Sequence, residues 1–158
     1  VSRRSALDLS AVLGGLTAET LSLVATTDEH GHPNVTAVSW LRGAPPNHLD
    51  LLAGWRSRMV KNIQRHPGVT VVLFQGSVLT LNGEAHVEEP LARGLPIPLS
   101  LVRVRLDSVF DSMFTGGQLT SGPHYVKDYP FKLRHLDAQV EEYLIQHQMA
   151  PTAADSRP

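Results

Sequence analysis

The residues of this sequence best placed to do chemistry lie together in Gly54-Trp55-Arg56-Ser57-Arg58-Met59-Val60-Lys61-Asn62. Ser57 is a favourable helix N-cap, because its hydroxyl can take up a backbone N–H that the first turn leaves unpaired. The remaining free N–H groups and the helix dipole make such an end attractive to an anion. Arg56, Arg58 and Lys61 crowd the same place, and Arg58 and Lys61, three apart, share a helix face. Lys61 is the only lysine before Lys127. Arginine can grip two phosphate oxygens and lysine supplies a point charge, so the cluster suits a phosphate. The competing reading is a solvated face of an amphipathic helix.

Other chemistries find less support. There is no cysteine, which removes disulfides, thiolate catalysis and cysteine-ligated metals. Eight histidines are present, but His30 and His32 only flank a turn glycine and the rest are scattered, so no metal site is expected. His124 and Tyr125, in a Gly- and Pro-bounded loop, are candidates for lining a substrate pocket. No G-x-S-x-G elbow and no dinucleotide fingerprint appear. Glu88-Glu89 and Glu141-Glu142 are adjacent pairs whose side chains diverge, so neither reads as a catalytic dyad.

Composition sets the frame for the elements that must position these residues. The 158 residues fit one domain, expected over residues 1–149, with a loose tail over residues 150–158. Hydrophobic residues at 42%, charged residues at 18% and a net charge of −1 describe a globular chain with no basic excess for nucleic acid. No apolar run approaches the roughly 20 residues of a membrane helix, and no signal segment follows the first residues, so a cytoplasmic protein is the expectation.

Alternation and turn signals predict about six strands and three helices. A short helix is expected over Leu7–Leu13, stopped by Gly14-Gly15. Leu21–Thr27 and Asn34–Leu41 read as a hairpin around Asp28–Pro33, with Gly43–Asn47 as a loop. His48–Ala53, Val69–Phe74, Ser77–Glu88 and Leu101–Asp107 are further strands, with a bulge expected at Asn82-Gly83. Ser57–His66 and His135–His147 read as helices, and Thr115–Pro130 as an irregular loop. The connections are too short for repeated βαβ crossovers, so the fold class is mainly β with flanking helices, a barrel rather than a parallel sheet.

Four segments in this order, LVATTDEHGHPNVTAVSW, HLDLLA, RSRMVKNIQRHPGVTVVLF and LTLNGEAHVEE, resemble the pyridoxamine 5'-phosphate oxidase-like family of split β-barrels that bind flavin mononucleotide (FMN). The stretch VRVRLDSVFDSMFTGGQLTSGPHYVKDYP is similar to the later part of small bacterial members. The resemblance implies a Greek-key-like, homodimeric barrel with flavin sites at the subunit interface. It implies that Arg56, Ser57 and Lys61 hold the flavin phosphate, while Arg58 either assists or points away. It further implies that Val38, Ser39 and Trp40 run beside the ring, largely through backbone groups, and that Ser77 lies near the ring or ribityl chain. Trp40 either walls the ring or fills a core or interface position.

Two departures bear on the reaction. The arginine-and-histidine signature that binds substrate phosphate in true pyridoxamine phosphate oxidases is absent, and Val78 stands where relatives carry a glutamine near the ring. The expected function is therefore an FMN-dependent oxidoreductase acting on another small molecule. The alternatives are a non-catalytic flavin- or heme-binding barrel and a deazaflavin-dependent reductase.

Overall fold

The computed structural model describes residues 7–16 and 20–148; the predicted tail lies outside them. Seven strands and three α-helices follow in the order α1 (Leu9–Gly14), β1 (Ser22–Thr27), β2 (Pro33–Val38), β3 (Leu41–Ala44), β4 (His48–Gly54), α2 (Arg58–Arg65), β5 (Gly68–Phe74), β6 (Val78–Glu89), β7 (Leu99–Asp111) and α3 (Leu136–Gln146). A 3-10 turn, Phe131–Leu133, precedes α3.

All strands join one antiparallel sheet in the order β2-β1-β5-β6-β7-β4-β3. Its two edge strands, β2 and β3, are separated in sequence only by Ser39 and Trp40. Laid flat, seven strands at about 4.8 Å spacing would hold the edges roughly 29 Å apart. Three residue steps from Val38 to Leu41 span at most about 11 Å. The sheet must therefore curl until its edges nearly meet, which is the geometry of a split barrel.

This corrects the predicted strand Asn34–Leu41. The segment is two strands that serve opposite edges, and Gly43 and Ala44 of the predicted loop Gly43–Asn47 belong to β3. The face that points inward also changes at the break. In β2, Val38 is buried while Val35 is 64% exposed; in β3, Leu41 is buried. The predicted hairpin turn is present: Asp28 Oδ1 accepts the N–H groups of His30 and His32 at 2.9 Å each, and Gly31 takes the positive φ of 81° that the turn requires.

The barrel interior is packed by alternate residues such as Leu49 and Leu51 of β4, Val71 and Leu73 of β5, Leu81 of β6, and Val102 and Val104 of β7. Met59, Val60 and Ile63 bury the apolar stripe of α2 in the same core. The opposite faces of β4 and β7 offer Leu52, Leu99 and Leu101 to a second cluster, filled by Leu136, Val140, Tyr143 and Leu144 of α3. These two strands are therefore buried on both faces. The bulge expected in β6 is present as a register shift at Asn82/Gly83. Gly83 is required there: a Cβ would lie 2.0 Å from the carbonyl oxygen of Arg105.

Candidate functional site

The link that closes the barrel also opens a cleft. A cavity of about 300 Å³ is walled by Thr36–Trp40 at the end of β2, by Leu52, Ala53 and Gly54 of β4, by Ser57 and Met59 at the start of α2, and by Tyr129. Ser39 and Trp40 have left the ladder of β2 and not yet entered that of β3. Their backbone groups are therefore available to a ligand, except that the carbonyl of Trp40 accepts from Leu52 N at 3.0 Å.

The predicted Val38, Ser39, Trp40 and Ser57 thus share one wall system, although Trp40 and Ser57 are 17 positions apart. Ser57 caps α2, its Oγ accepting from Val60 N at 3.3 Å with the residue extended at φ −65° and ψ 154°. The neighbouring cations are exposed and do not line the cleft itself. Arg56 lays its guanidinium 4.4 Å from the centroid of the Trp55 ring. Arg58 turns to β2, donating from Nη1 to Asn34 Oδ1 at 3.1 Å. Lys61 has no ion-pair partner among the described residues. Buried Asn62 donates to Thr26 Oγ1 at 3.0 Å, which ties α2 to β1.

Ser77 lies elsewhere. It sits at the β5–β6 turn, where its Oγ donates to Asp111 Oδ1 at 2.7 Å, and it is not a wall of the cleft. Gln75, on the same turn, reaches the carbonyl of Val12 at 3.5 Å.

Sequence reasoning missed Tyr129 and Asp137. Asp137 Oδ1 accepts from Trp40 Nε1 at 2.7 Å, from Lys127 Nζ at 2.8 Å and from Tyr129 OH at 2.9 Å. Burial alone would raise the Asp137 carboxyl, but the three donors outweigh it and hold the group below the ordinary carboxylate value. Burial would lower Lys127, yet its bond and charge interaction with Asp137 leave it raised. Tyr129 is raised by burial and by its bond to Asp137. No local signal marks these residues: Trp40 and Asp137 are 97 positions apart, and Tyr129 lies in an irregular loop. His124 and Tyr125 line a neighbouring cavity of about 350 Å³ with Lys127 and Asp137. Among the described residues, no group of three or more His, Cys, Asp or Glu side chains could hold a metal ion, and no helix is long and apolar enough to cross a membrane.

The family model for pyridoxamine 5'-phosphate oxidase matches residues 10–95. No curated protein matches the chain in sequence. Solved structures share the fold at low identity. A Lactobacillus delbrueckii protein assigned by name to pyridoxamine 5'-phosphate oxidase is 22% identical, with a TM-score of 0.56 over 68% of this chain and 97% of its own. An F420 reductase is 17% identical, with a TM-score of 0.50 over 59% of this chain and 90% of its own. HutZ, the heme storage protein from Vibrio cholerae, is 16% identical, with a TM-score of 0.50 over 59% and 86%. The family match spans more than half of the sequence and runs through every strand from β1 to β6, so the chain belongs to the pyridoxamine 5'-phosphate oxidase family.

Proposed function

We propose that this protein binds FMN in the cleft at the β2–β3 link and acts as a flavin-dependent oxidoreductase on a small molecule. The observation that carries this reading is that the Ser57-capped start of α2 and the unladdered backbone of Ser39-Trp40 face one cavity. One end offers free helix N–H groups with Arg56 and Lys61 nearby, which suits a phosphate. The other offers peptide groups and the aromatic side chains of Trp40 and Tyr129, which suit a flat, polar-edged ring. The residues present therefore fit the cofactor. A bound flavin would supply the hydride or electron transfer; the chain would bind it, orient it and exclude water.

At about 300 Å³ the cleft is at the low end for a small-molecule site. In this reading a second copy of the chain completes it. Val35 on the outer face of β2, and Phe114, Val126 and Phe131 beyond β7, at 64%, 74%, 94% and 78% exposure, are the apolar surface offered for such pairing. The partner copy is also the route by which Ser77 would meet a flavin.

Two rival ligands have specific counter-observations or tests. No histidine lines the cleft, which counts against heme held as by a histidine axial ligand. A deazaflavin would satisfy the same walls. The absorbance spectrum of freshly purified protein, with mass analysis of the released cofactor, tests the assignment. Oxidised-flavin bands with the mass of FMN are expected, and a Soret band or a deazaflavin mass would replace the reading. Reduction of the bound flavin by a nicotinamide donor, followed by reoxidation in air, separates an enzyme from a store. Sedimentation at micromolar concentration is expected to show a dimer.

A further inference from the structure

Trp40 and Tyr129 form the aromatic side of the cleft, yet both lie outside the strands, and the sheet holds them only by the Trp40 carbonyl and by partial packing against the second cluster. Trp40 sits in the two-residue link between sheet edges, and Tyr129 sits in an irregular loop. The indole also borders a second cavity, of about 730 Å³, lined by Leu16, Arg42, Arg134 and Glu141 among others. A ring with open space on two sides keeps its orientation only if something fixes it. Packing against the second cluster covers each ring only in part, so a directional bond is what can set its remaining freedom.

That bond comes from α3. Asp137 is in the first turn of the helix, and Leu136, Val140, Tyr143 and Leu144 anchor the helix to the outer faces of β4 and β7. Asp137 is thus a carboxylate on an anchored helix, reaching two side chains that lie outside any strand or helix. Its Oδ1 takes the indole N–H, the Tyr129 hydroxyl and Lys127 Nζ together. Lys127 in turn stands 5.4 Å from the centroid of the Trp40 ring and 6.0 Å from that of Tyr129. Charge-assisted bonds of this kind are shorter and stronger than neutral ones.

We propose that Asp137 is a positioning residue of the cleft, fixing Trp40 and Tyr129 as an aromatic wall for the ligand ring through the hydrogen bonds of its Oδ1. This rests on the flavin reading of the cleft. Asp137 itself does not line that cleft, so its effect on the ligand is exerted through the two aromatic residues.

The test needs two readouts. In a Trp55→Phe background Trp40 is the only tryptophan, so hydrogen exchange of its indole N–H reports the wall in the absence of any cofactor. FMN affinity reports the consequence. Asp137→Ala is expected to abolish protection of the indole N–H and to weaken FMN binding about tenfold, the loss of one modest interaction. Asp137→Asn, which keeps an acceptor oxygen, is expected to fall between, and it serves if the alanine variant does not fold. Asp137 is also the acidic residue in the first turn of α3, so a purely helical role must be separated. Asp137→Ala combined with Ala138→Asp returns a charge to that turn without the bond to Trp40. It is expected to recover helix stability but not FMN affinity. Recovery of affinity in that double variant, or an indole N–H equally protected in wild type and in the Asp137 variants, would overturn the proposal. If wild-type protein binds no FMN, the flavin reading fails on its own, and the indole exchange alone then decides whether Asp137 fixes the wall.

Discussion

Arg103 grips both carboxylate oxygens of Asp50: Nε donates to Oδ1 at 2.8 Å and Nη2 to Oδ2 at 3.0 Å. The same Nη2 donates to the carbonyl oxygen of His147 at 2.7 Å, at the C-terminal cap of α3. The pair therefore joins β4, β7 and α3 on the outer face of the barrel. Its bond to Asp50 outweighs burial and raises the Arg103 value further, so this guanidinium stays charged.

Asp50 is only 3% exposed and the Arg103 side chain 15%, so removing the carboxylate leaves a largely enclosed guanidinium short of a partner. Asp50→Ala is expected to cost about 3 kcal/mol in urea unfolding, as for other broken buried pairs. The double replacement Asp50→Leu with Arg103→Met is expected to recover most of that loss, because it removes both charges together. A single variant no worse than the double would show that the pair adds nothing.

The cap of α2 has its own signature. Ser57→Ala is expected to cost about 1 kcal/mol of stability, and Ser57→Gly only a few tenths. The ordering of the two, read from thermal unfolding of the ligand-free protein, isolates the Oγ–Val60 N bond from any role in binding.

Arg56→Ala and Lys61→Ala are each expected to weaken FMN binding by about 1–3 kcal/mol, the range for a hydrogen bond to a charged group. Both losses should shrink as salt is raised, since both side chains are exposed. Unchanged affinity in both variants, measured by fluorescence titration, would remove the phosphate from this helix end.

The Asp137 node predicts a pH dependence with two limbs. The lowered Asp137 carboxyl contributes stability that is present above its unfolded value, about 3.9, and is lost as pH falls through the lower folded value. Lys127 and Tyr129 are both raised, so their contribution is present below about pH 10 and is lost as pH climbs through their folded values. Thermal midpoints of wild type and Asp137→Asn should therefore differ at neutral pH, begin to converge below about pH 3.9, and meet only once pH has fallen through the lowered folded value, where the wild-type carboxyl is protonated as well. A gap that persists undiminished into acid would show that the charge of Asp137 is not what the node uses.

Most elements were legible because they are local. The Ser57 cap, the buried stripe of Met59, Val60 and Ile63, the Gly31 turn and the Asn82-Gly83 bulge each follow from neighbours a few positions apart. The segment Asn34–Leu41 misled for the same reason. Its alternation is continuous, and nothing within it says that Val38 ends one edge of the sheet while Leu41 begins the other.

By itself, then, the sequence determined the barrel class and the serine-capped, cation-flanked helix end, and a family resemblance singled out Val38, Ser39 and Trp40, which line the cleft. Periodicity, capping and turn chemistry act over one to five residues, and a single chain displays them directly. Only tertiary structure decided that Ser39-Trp40 bridges the two sheet edges, that Ser57 opens on the same cleft, that Ser77 does not within one chain, and that Asp137 reaches Trp40 across 97 positions. Those contacts are set by the curl of a seven-stranded sheet and by the docking of α3 on its back, and no local pattern encodes the distance between residues that such a curl brings together.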